Sequence, residues 1–297
     1  MYESHWGLRE KPFENTPDPK FLYYSQQHEE AMARMLYVVR ERKGGALLTG
    51  EYGCGKTLLT RVLKAELQKE NQYQAVYIVD PRFWGLEFLQ EIVHQLTGGP
   101  TPQTKIELFH TLFKSLSHIH SIGKHCIIVV DEAQSIKNHD TFEELRLLLN
   151  FQLDNAFLLT VILLGSPELR TLASNMPQLV QRMAVRYHIN GLNGKETREY
   201  INHRLAVAGA SKPIFTDEAY KHIFLCSEGV PRRINTICDL SLLIGFSNGL
   251  DIIDKTTVRE INDDMGLPPA LNDRLNAPSL SSLSDTIDRG GDFTLSP

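Results

Sequence analysis

One segment at residues 50–57, GEYGCGKT, restricts what this chain can fold into more than any other feature. It fits the pattern G-x-x-x-x-G-K-[ST] and lies between a predicted apolar strand at 46–49 and a predicted helix at 57–69. The glycines let the backbone curl so that successive N–H groups point into one concavity, and the helix N-terminus adds positive potential there. The segment therefore predicts a phosphate-binding loop. The alternative is a glycine-rich turn that matches the pattern by chance.

Two side chains of this loop have predicted roles toward a bound nucleotide. Lys56 would reach the β and γ phosphates, and Thr57 would hold Mg²⁺. We predict nucleotide contacts from Gly50, Glu51, Tyr52, Gly53, Cys54, Gly55, Lys56, Thr57 and Leu58.

A second motif follows the apolar strand predicted at 126–130, which delivers Asp131 and Glu132 at its carboxyl end. Ligands of open parallel sheets bind at that end of the strands. Asp131 would support the Mg²⁺ shell through water, and Glu132 would orient and polarise the water that attacks the γ phosphate. The alternative is a pair of solvated acids at a strand end. Because the pair follows a phosphate-binding loop beyond one intervening strand, it favours a hydrolase over a passive nucleotide sensor.

Strand-length apolar runs alternate with helical patterns up to residue 190, which is typical of an α/β fold with a parallel sheet and helices on both faces. The predicted strands are 46–49, 75–79, 126–130, 158–164 and 185–189. The predicted helices are 28–42, 57–69, 84–96, 106–120 and 141–150, the last with a capping box of Thr141 and Glu144.

Beyond residue 191 the helix-start signals at Asn193, Thr216, Pro231 and Asp254 predict a small helical domain with no strand pattern. The last thirty or so residues are rich in Pro, Ser, Gly and Asp and poor in apolar clusters, which predicts disorder. We therefore predict an irregular arm at 1–27 packed on the nucleotide-binding core, an α/β domain at 28–190, a helical domain at 191–266 and a disordered tail at 267–297.

Charge and composition exclude several classes of protein. The 31 basic and 36 acidic residues give a net charge of −5, which is no electrostatic footprint for DNA. No apolar run approaches the ~20 residues of a membrane span, and the first residues lack the pattern of a secretory signal, so we expect a cytoplasmic protein. The four cysteines have no zinc-type spacing, which argues for a reducing compartment and against a structural metal.

Seven segments in collinear order over about residues 1–265 share one family's pattern: GLREKPFENTPDPKFLYYSQQHEEA, GEYGCGKT, VVDEAQ, LRLLLNF, LLGSPEL, LVQRMAVRYHI and GVPRRIN. Together they resemble the general secretion pathway protein A family of AAA+ ATPases. The resemblance implies a P-loop AAA+ fold with a five-stranded parallel sheet, a helical lid, ATP at their junction and an oligomer, commonly a ring, as the working form.

The resemblance also implies roles for individual residues. Arg232, with Arg233 as the adjacent alternative, falls at the sensor 2 position, where a lid arginine touches the γ phosphate. Arg182 and Arg186 are the candidates for an arginine finger that reaches a neighbouring subunit's nucleotide, and their alternative is a solvated basic helix face. Sensor 1 falls at Ser166, where the family often has a glutamine.

The resemblance further places residues 17–21 and 24–28 near the adenine, and the alternative is that they only cover a sheet edge. The predicted catalytic set is thus Glu132, Lys56, Arg182, Arg186 and Arg232, with ATP and Mg²⁺ as cofactors.

The expected function is ATP hydrolysis by a cytoplasmic motor or switch protein. It would support a bacterial secretion, pilus or polysaccharide-export system and meet the inner membrane, if at all, through a protein partner. One alternative is a DNA-transposition regulatory ATPase that binds duplex DNA, and another is a nucleotide-gated scaffold with slow turnover.

Overall fold

A five-stranded parallel sheet forms the centre of the structure, a computed structural model that describes residues 1–16, 18–154 and 156–264. The strand order is β2-β3-β6-β1-β7, and β4 pairs with β5 in a separate antiparallel hairpin. The predicted parallel sheet is confirmed, and the predicted strand ends lie within two residues of those observed. The strands are β1 Gly45–Gly50, β2 Tyr73–Ile78, β3 His125–Val130, β4 Gln152–Leu153, β5 Ala156–Phe157, β6 Leu159–Gly165 and β7 Met183–Ile189.

The sheet is covered by helices on both faces, as the alternation of patterns predicts. Strands β1, β3 and β6 are buried along their whole length, which is why their sequences are continuous apolar runs. Helices α2 and α3 pack on one face, and α4 to α8 pack on the other. The helices before and around the sheet are α1 Glu3–Trp6, α2 Gln26–Arg40, α3 Lys56–Lys69, α4 Gly85–Thr97, α5 Lys105–Ser121, α6 His139–Leu148, α7 Pro167–Ser174 and α8 Pro177–Val180.

The capping box predicted at Thr141 and Glu144 is wrong. Helix α6 begins two residues earlier, and Asn138 is its N-cap, with a side chain that accepts from the Asp140 N–H. Thr141 instead donates a 3.0 Å hydrogen bond to the Phe83 carbonyl, and Glu144 forms an ion pair with Lys105. Both side chains of the pattern are therefore used in tertiary contacts from a buried helix face.

Up to residue 264, where the described part ends, four helices follow the sheet, as the start signals predict: α9 Gly194–Val207, α10 Asp217–Ser227, α11 Pro231–Ser247 and α12 Lys255–Asp264. Asn193 and Glu196 form a reciprocal capping box at α9, and the Thr216 side chain caps α10. One isolated bridge joins Phe215 to Ile253. These helices enclose a hydrophobic core of their own.

The arm at residues 1–27 packs mainly on this helical lid, which corrects the prediction that it packs on the nucleotide-binding core. The side chains of Tyr2, Trp6, Leu8, Phe13 and Phe21 complete the lid's hydrophobic core. The physical reason is that a unit of four helices is too small to bury all of its apolar surface alone, so aromatic side chains of the arm cover the rest of its core. The predicted disordered tail at 267–297 lies outside the described residues.

Backbone and buried polar contacts attach the arm to the lid. The Trp6 indole donates to the Leu242 carbonyl at 2.9 Å, and the Arg9 N–H donates to the Ala208 carbonyl at 2.8 Å. The part of the chain that the structure describes contains no helix with the length and apolar character needed to cross a membrane.

Candidate functional site

The loop between β1 and α3 has a backbone that two glycines make possible. Gly53 has φ +87° and Gly55 has φ +91°, a conformation that side chains rarely adopt. A Cβ at Gly53 would lie 2.5 Å from the Cβ of Arg232, and one at Gly55 would lie 3.1 Å from Nε2 of His28. The loop thus fits closely between the lid and α2, and its end leads directly into the first turn of α3.

Lys56 lies inside this loop with only 5% of its surface exposed. Its Nζ donates to the carbonyl oxygens of Gly50 at 2.7 Å and Glu51 at 2.9 Å. Burial lowers the pKa of the Lys56 amine, while the nearby Glu132 and Asp131 carboxylates act in the opposite direction. A buried ammonium group at the N-terminus of a 14-residue helix is well placed to meet an anion.

Asp131 follows β3 and is 2% exposed. Burial raises the pKa of its carboxyl group, and hydrogen bonds from the Glu132 N–H, at 2.9 Å, and from the Thr57 side chain act the other way. The structure thus brings together Thr57 and Asp131, the two residues predicted to serve Mg²⁺. A hydroxyl and a buried carboxylate are oxygen ligands of the type that Mg²⁺ prefers, so the donor set fits that ion.

Glu132 comes next along the chain, in the left-handed region at φ +51°. Its side chain lines a cleft between the phosphate-binding loop and the helical lid. Its carboxylate accepts a hydrogen bond from the side-chain amide of Gln134. Gln134 in turn accepts from the Ser166 N–H at 3.0 Å. Sequence reasoning did not single out Gln134, although it belongs to the VVDEAQ segment.

Ser166, the position expected to act as sensor 1, is fully buried at the start of α7. Its hydroxyl donates to the Glu168 carboxylate. The side chain is therefore engaged within its own turn, and Ser166 meets the Glu132 region through its backbone N–H.

The cleft itself is a cavity of 230 Å³ between the phosphate-binding loop and the lid. Asn15 and Thr16 of the arm form one wall with Tyr200 and Arg204 of the lid. Sequence reasoning missed these four residues because no local pattern links an N-terminal arm to helix α9. Hydrogen bonds link three of them, since the Arg204 guanidinium donates to the Tyr200 hydroxyl, which donates to Asn235, and the Asn235 amide donates to Asn15.

Arg232 lines the same cleft from the first turn of α11. Its backbone N–H donates to the Gly53 carbonyl at 3.3 Å, so this end of the lid contacts the loop directly. Arg233, the alternative for the sensor 2 position, forms an ion pair with Glu228 at 2.9 Å.

Arg182 and Arg186 are not brought to this cleft. The Arg182 guanidinium donates to the Leu149 carbonyl at 2.8 Å. Arg186 is exposed on the edge strand β7 and lines a different groove, together with Arg170 of α7.

A smaller cavity of 60 Å³ lies beside the cleft, with Gly55, Leu58, Tyr200 and Pro231 lining both. Its other walls include Leu22 and Tyr23 of the arm and His28 of α2. The arm segment and the start of α2 thus line a cavity next to the cleft, and contact of these residues with the adenine stays a prediction.

His28 contacts the backbone of the phosphate-binding loop from α2. It is buried, its Nε2 lies 2.8 Å from the Cys54 carbonyl oxygen, and its Nδ1 lies 2.6 Å from the Ser25 hydroxyl. Burial lowers the pKa of His28, which favours a neutral ring that donates to Cys54. The described residues contain no group of three or more His, Cys, Asp or Glu side chains that could hold a metal ion.

Comparison with known proteins gives two kinds of match in sequence. The AAA domain family matches residues 39–173. General secretion pathway protein A of Aeromonas hydrophila is 37% identical over 253 residues, which are 84% of this chain and 46% of that protein. An uncharacterized HTH-type transcriptional regulator of Methanocaldococcus jannaschii is 29% identical over 171 residues, which are 56% of this chain and 41% of that protein. The chain thus spans less than half the length of these curated relatives.

Solved structures with low sequence identity share the fold. Drosophila ORC bound to DNA superposes with a TM-score of 0.63 at 19% identity, covering 88% of this chain and 65% of that one. Aeropyrum pernix ORC1 in complex with DNA gives 0.62 at 18% identity, covering 93% and 77%. The Thermotoga maritima RuvB Holliday junction branch migration motor gives 0.54 at 18% identity, covering 82% and 69%.

Proposed function

Because this chain belongs to the general secretion pathway protein A family of AAA+ ATPases, we propose that it hydrolyses ATP in the cleft between its sheet and its lid. The observation that carries this proposal is the convergence of Lys56, Thr57 with Asp131, and Glu132 on one cleft. Lys56 and Thr57 begin α3, whereas Asp131 and Glu132 follow the end of β3. Together they have the chemistry that phosphoryl transfer to water requires.

The phosphate-binding loop holds the triphosphate. Lys56 exchanges its carbonyl partners for phosphate oxygens, which are better acceptors for a buried ammonium group. The N–H groups of the first turn of α3 lack partners within the helix and donate to the same phosphates. Thr57 and Asp131 would hold Mg²⁺, directly or through water, and the ion would supply positive charge toward the phosphate oxygens.

Glu132 orients a water molecule and accepts its proton as the water attacks the terminal phosphorus. Its carboxylate lines the cleft, and its fixed backbone conformation directs it there. Arg232 contributes positive charge from the lid, so the loss of the γ phosphate weakens the contact between lid and loop.

An arginine from a second copy completes the site. We propose Arg186 for this role ahead of Arg182, because Arg186 is exposed on the edge strand whereas Arg182 is used to hold the Leu149 carbonyl. An added guanidinium group stabilises the charge that develops on the transferred phosphoryl group.

The ATP cycle supports the assembly or operation of a bacterial secretion, pilus or polysaccharide-export system, with the chain peripheral to the membrane and held there by a partner. What supports this is the 37% identity to a protein named for a general secretion pathway.

Calorimetric titration of the full chain with ATP and Mg²⁺ tests binding. Wild-type protein should release heat, and Lys56→Ala should raise the Kd at least about tenfold, because a charged hydrogen-bonding group is lost. Lys64→Ala, an exposed lysine on the same helix, is the matched control and should bind as wild type does. Equal affinity of Lys56→Ala and wild type would contradict the proposed site.

A DNA-dependent regulatory ATPase is the second candidate, favoured by the 29% identity to a protein named as an HTH-type transcriptional regulator. The ATPase rate is measured with and without duplex DNA at physiological salt. Stimulation by DNA supports this second function, and an unchanged rate supports the secretion-related one.

A further inference from the structure

Gln134, in the turn after β3, has no assigned role, although both polar atoms of its side-chain amide form hydrogen bonds. Glu132 leaves the strand at φ +51°, and a single 3₁₀ turn at Ala133–Ser135 follows. This turn places the amide of Gln134 between the Glu132 carboxylate and the backbone of Ser166. Glu132 lines the cleft, whereas Gln134 is not among the lining residues.

The orientation of the Gln134 amide follows from its partners. A carboxylate only accepts hydrogen bonds and a backbone N–H only donates, so Nε2 must face Glu132 and Oε1 must face Ser166. Strand β6 leaves room for this arrangement at Gly165, where a Cβ would lie 2.5 Å from the amide oxygen. The amide therefore has one position and one orientation.

This contact makes the two oxygens of the Glu132 carboxylate unequal. Nε2 donates to Oε2, which engages one lone pair of that oxygen and restricts rotation of the carboxylate. Ser166 anchors the amide through its N–H at 3.0 Å, while its own hydroxyl is turned to Glu168. A general base is effective when it is held within hydrogen-bond reach of the water it activates, and a shift of about 1 Å is costly.

We propose that Gln134 is a positioning residue that fixes the Glu132 carboxylate, leaving Oε1 to accept the proton of the attacking water, and that ties it to the end of β6. This inference rests on the proposed ATPase function. The proton passes from water to Oε1 as the water oxygen bonds to the terminal phosphorus and the bond to the leaving diphosphate breaks.

The test compares Gln134→Glu with Gln134→Leu in the full chain. The first keeps the size and the acceptor for Ser166 but replaces the donor by a second carboxylate. The second removes both hydrogen bonds. Gln68→Glu, at an exposed position near the end of α3, controls for the added charge.

At about pH 8, we expect both Gln134 variants to lose at least about tenfold in kcat, with KM for ATP within about twofold of wild type. Two adjacent carboxylates share a proton more readily than one, and the protonated acid can again donate to its neighbour. The kcat of Gln134→Glu relative to wild type should therefore recover as the pH is lowered toward about 5.5, while that of Gln134→Leu stays low. The charged groups around this pair are Lys56 on α3, Asp131 after β3, Glu168 on α7 and Asp80 after β2, which contacts Ser135.

Melting of the nucleotide-free protein gives a readout that is independent of turnover. Gln134→Glu should melt about 2 to 4 °C below wild type at pH 8, and the difference should close near pH 5.5, because the repulsion between two carboxylates is lost on protonation. Gln68→Glu should show no such pH-dependent difference.

A kcat of Gln134→Glu equal to wild type at pH 8, an effect on KM alone, or no pH-dependent melting difference would each overturn the positioning role. Failure of the proposed ATPase function is distinguishable from failure of the positioning role, because in that case the wild-type protein itself does not bind or hydrolyse ATP. In that case the role of Gln134 in hydrolysis falls with it, and the melting comparison still decides whether the hydrogen bond forms.

Discussion

Gly53→Ala tests how closely the lid contacts the phosphate-binding loop. The sequence pattern allows any residue at position 53, whereas the structure leaves no room for a side chain there. The φ of +87° at Gly53 disfavours a side chain, and a Cβ would lie 2.5 Å from the Cβ of Arg232 and 3.4 Å from a methyl group of Val230. A normal contact between such carbons is about 3.5 to 4.0 Å, so Gly53→Ala must move the lid or the loop by about 1 Å.

Gly123 provides the matched control. Its φ is +80°, and a Cβ there would meet nothing within 4 Å. Both alanine substitutions should cost about 1 to 2 kcal/mol in the free energy of unfolding from backbone strain, which lowers the Tm by a few degrees. Only Gly53→Ala should also weaken ATP binding, because it displaces Arg232 from the cleft.

The assay is a calorimetric titration with ATP and Mg²⁺, combined with thermal melting of each variant. A loss of about 1.4 kcal/mol or more in binding free energy raises the Kd of Gly53→Ala at least about tenfold, while Gly123→Ala binds as wild type does. Equal ATP affinity of the two variants would refute the close contact between lid and loop.

Three further predictions concern Arg186, Asp131 and His125. Arg186→Ala should abolish the rise of specific ATPase activity with protein concentration, and a concentration dependence that survives in this variant would exclude Arg186 as the arginine that acts on a neighbouring copy. Arg182→Ala should mainly lower the Tm, because the Leu149 carbonyl loses its donor. Asp131→Asn should raise the Tm of the nucleotide-free protein at pH 8, because burial raises the pKa of Asp131 and its ionised form therefore costs stability. This gain in Tm should vanish as the pH falls and the carboxyl group is protonated, and a gain independent of pH would contradict this cause. Burial lowers the pKa of His125 to about 4, so folding stability should fall by about 2 to 3 kcal/mol as the pH drops from 6.5 toward 4, and His125→Gln should flatten that part of the profile in acid melting experiments.

Local sequence patterns predicted the elements that carry the site. The strand before Gly50, the helix after Gly55 and the strand before Asp131 are each continuous in sequence, so one short window contains the whole signal. A separate local signal, the helix start at Pro231, predicted the lid helix that positions Arg232.

Contacts between distant segments were not predictable in this way. The sequence predicted an arm packed on the nucleotide-binding core, and no local pattern indicated that Phe13 and Trp6 complete the lid core. The spacing of Thr141 and Glu144 fits both a capping box and a buried helix face, and tertiary contacts decided for the second. Gln134 carries no signal in its own window, because its role depends on a backbone N–H more than thirty residues away.

Phosphate release from ATP and Mg²⁺ by wild type and Glu132→Gln, measured side by side with nucleotide affinity, decides whether Glu132 is the general base of ATP hydrolysis in this cleft. Glu132→Gln should bind ATP with the affinity of wild type and lose at least about 100-fold in turnover, since the base that accepts the proton of water is gone. Turnover by Glu132→Gln at the wild-type rate, or no phosphate release by wild type, would contradict this role of Glu132.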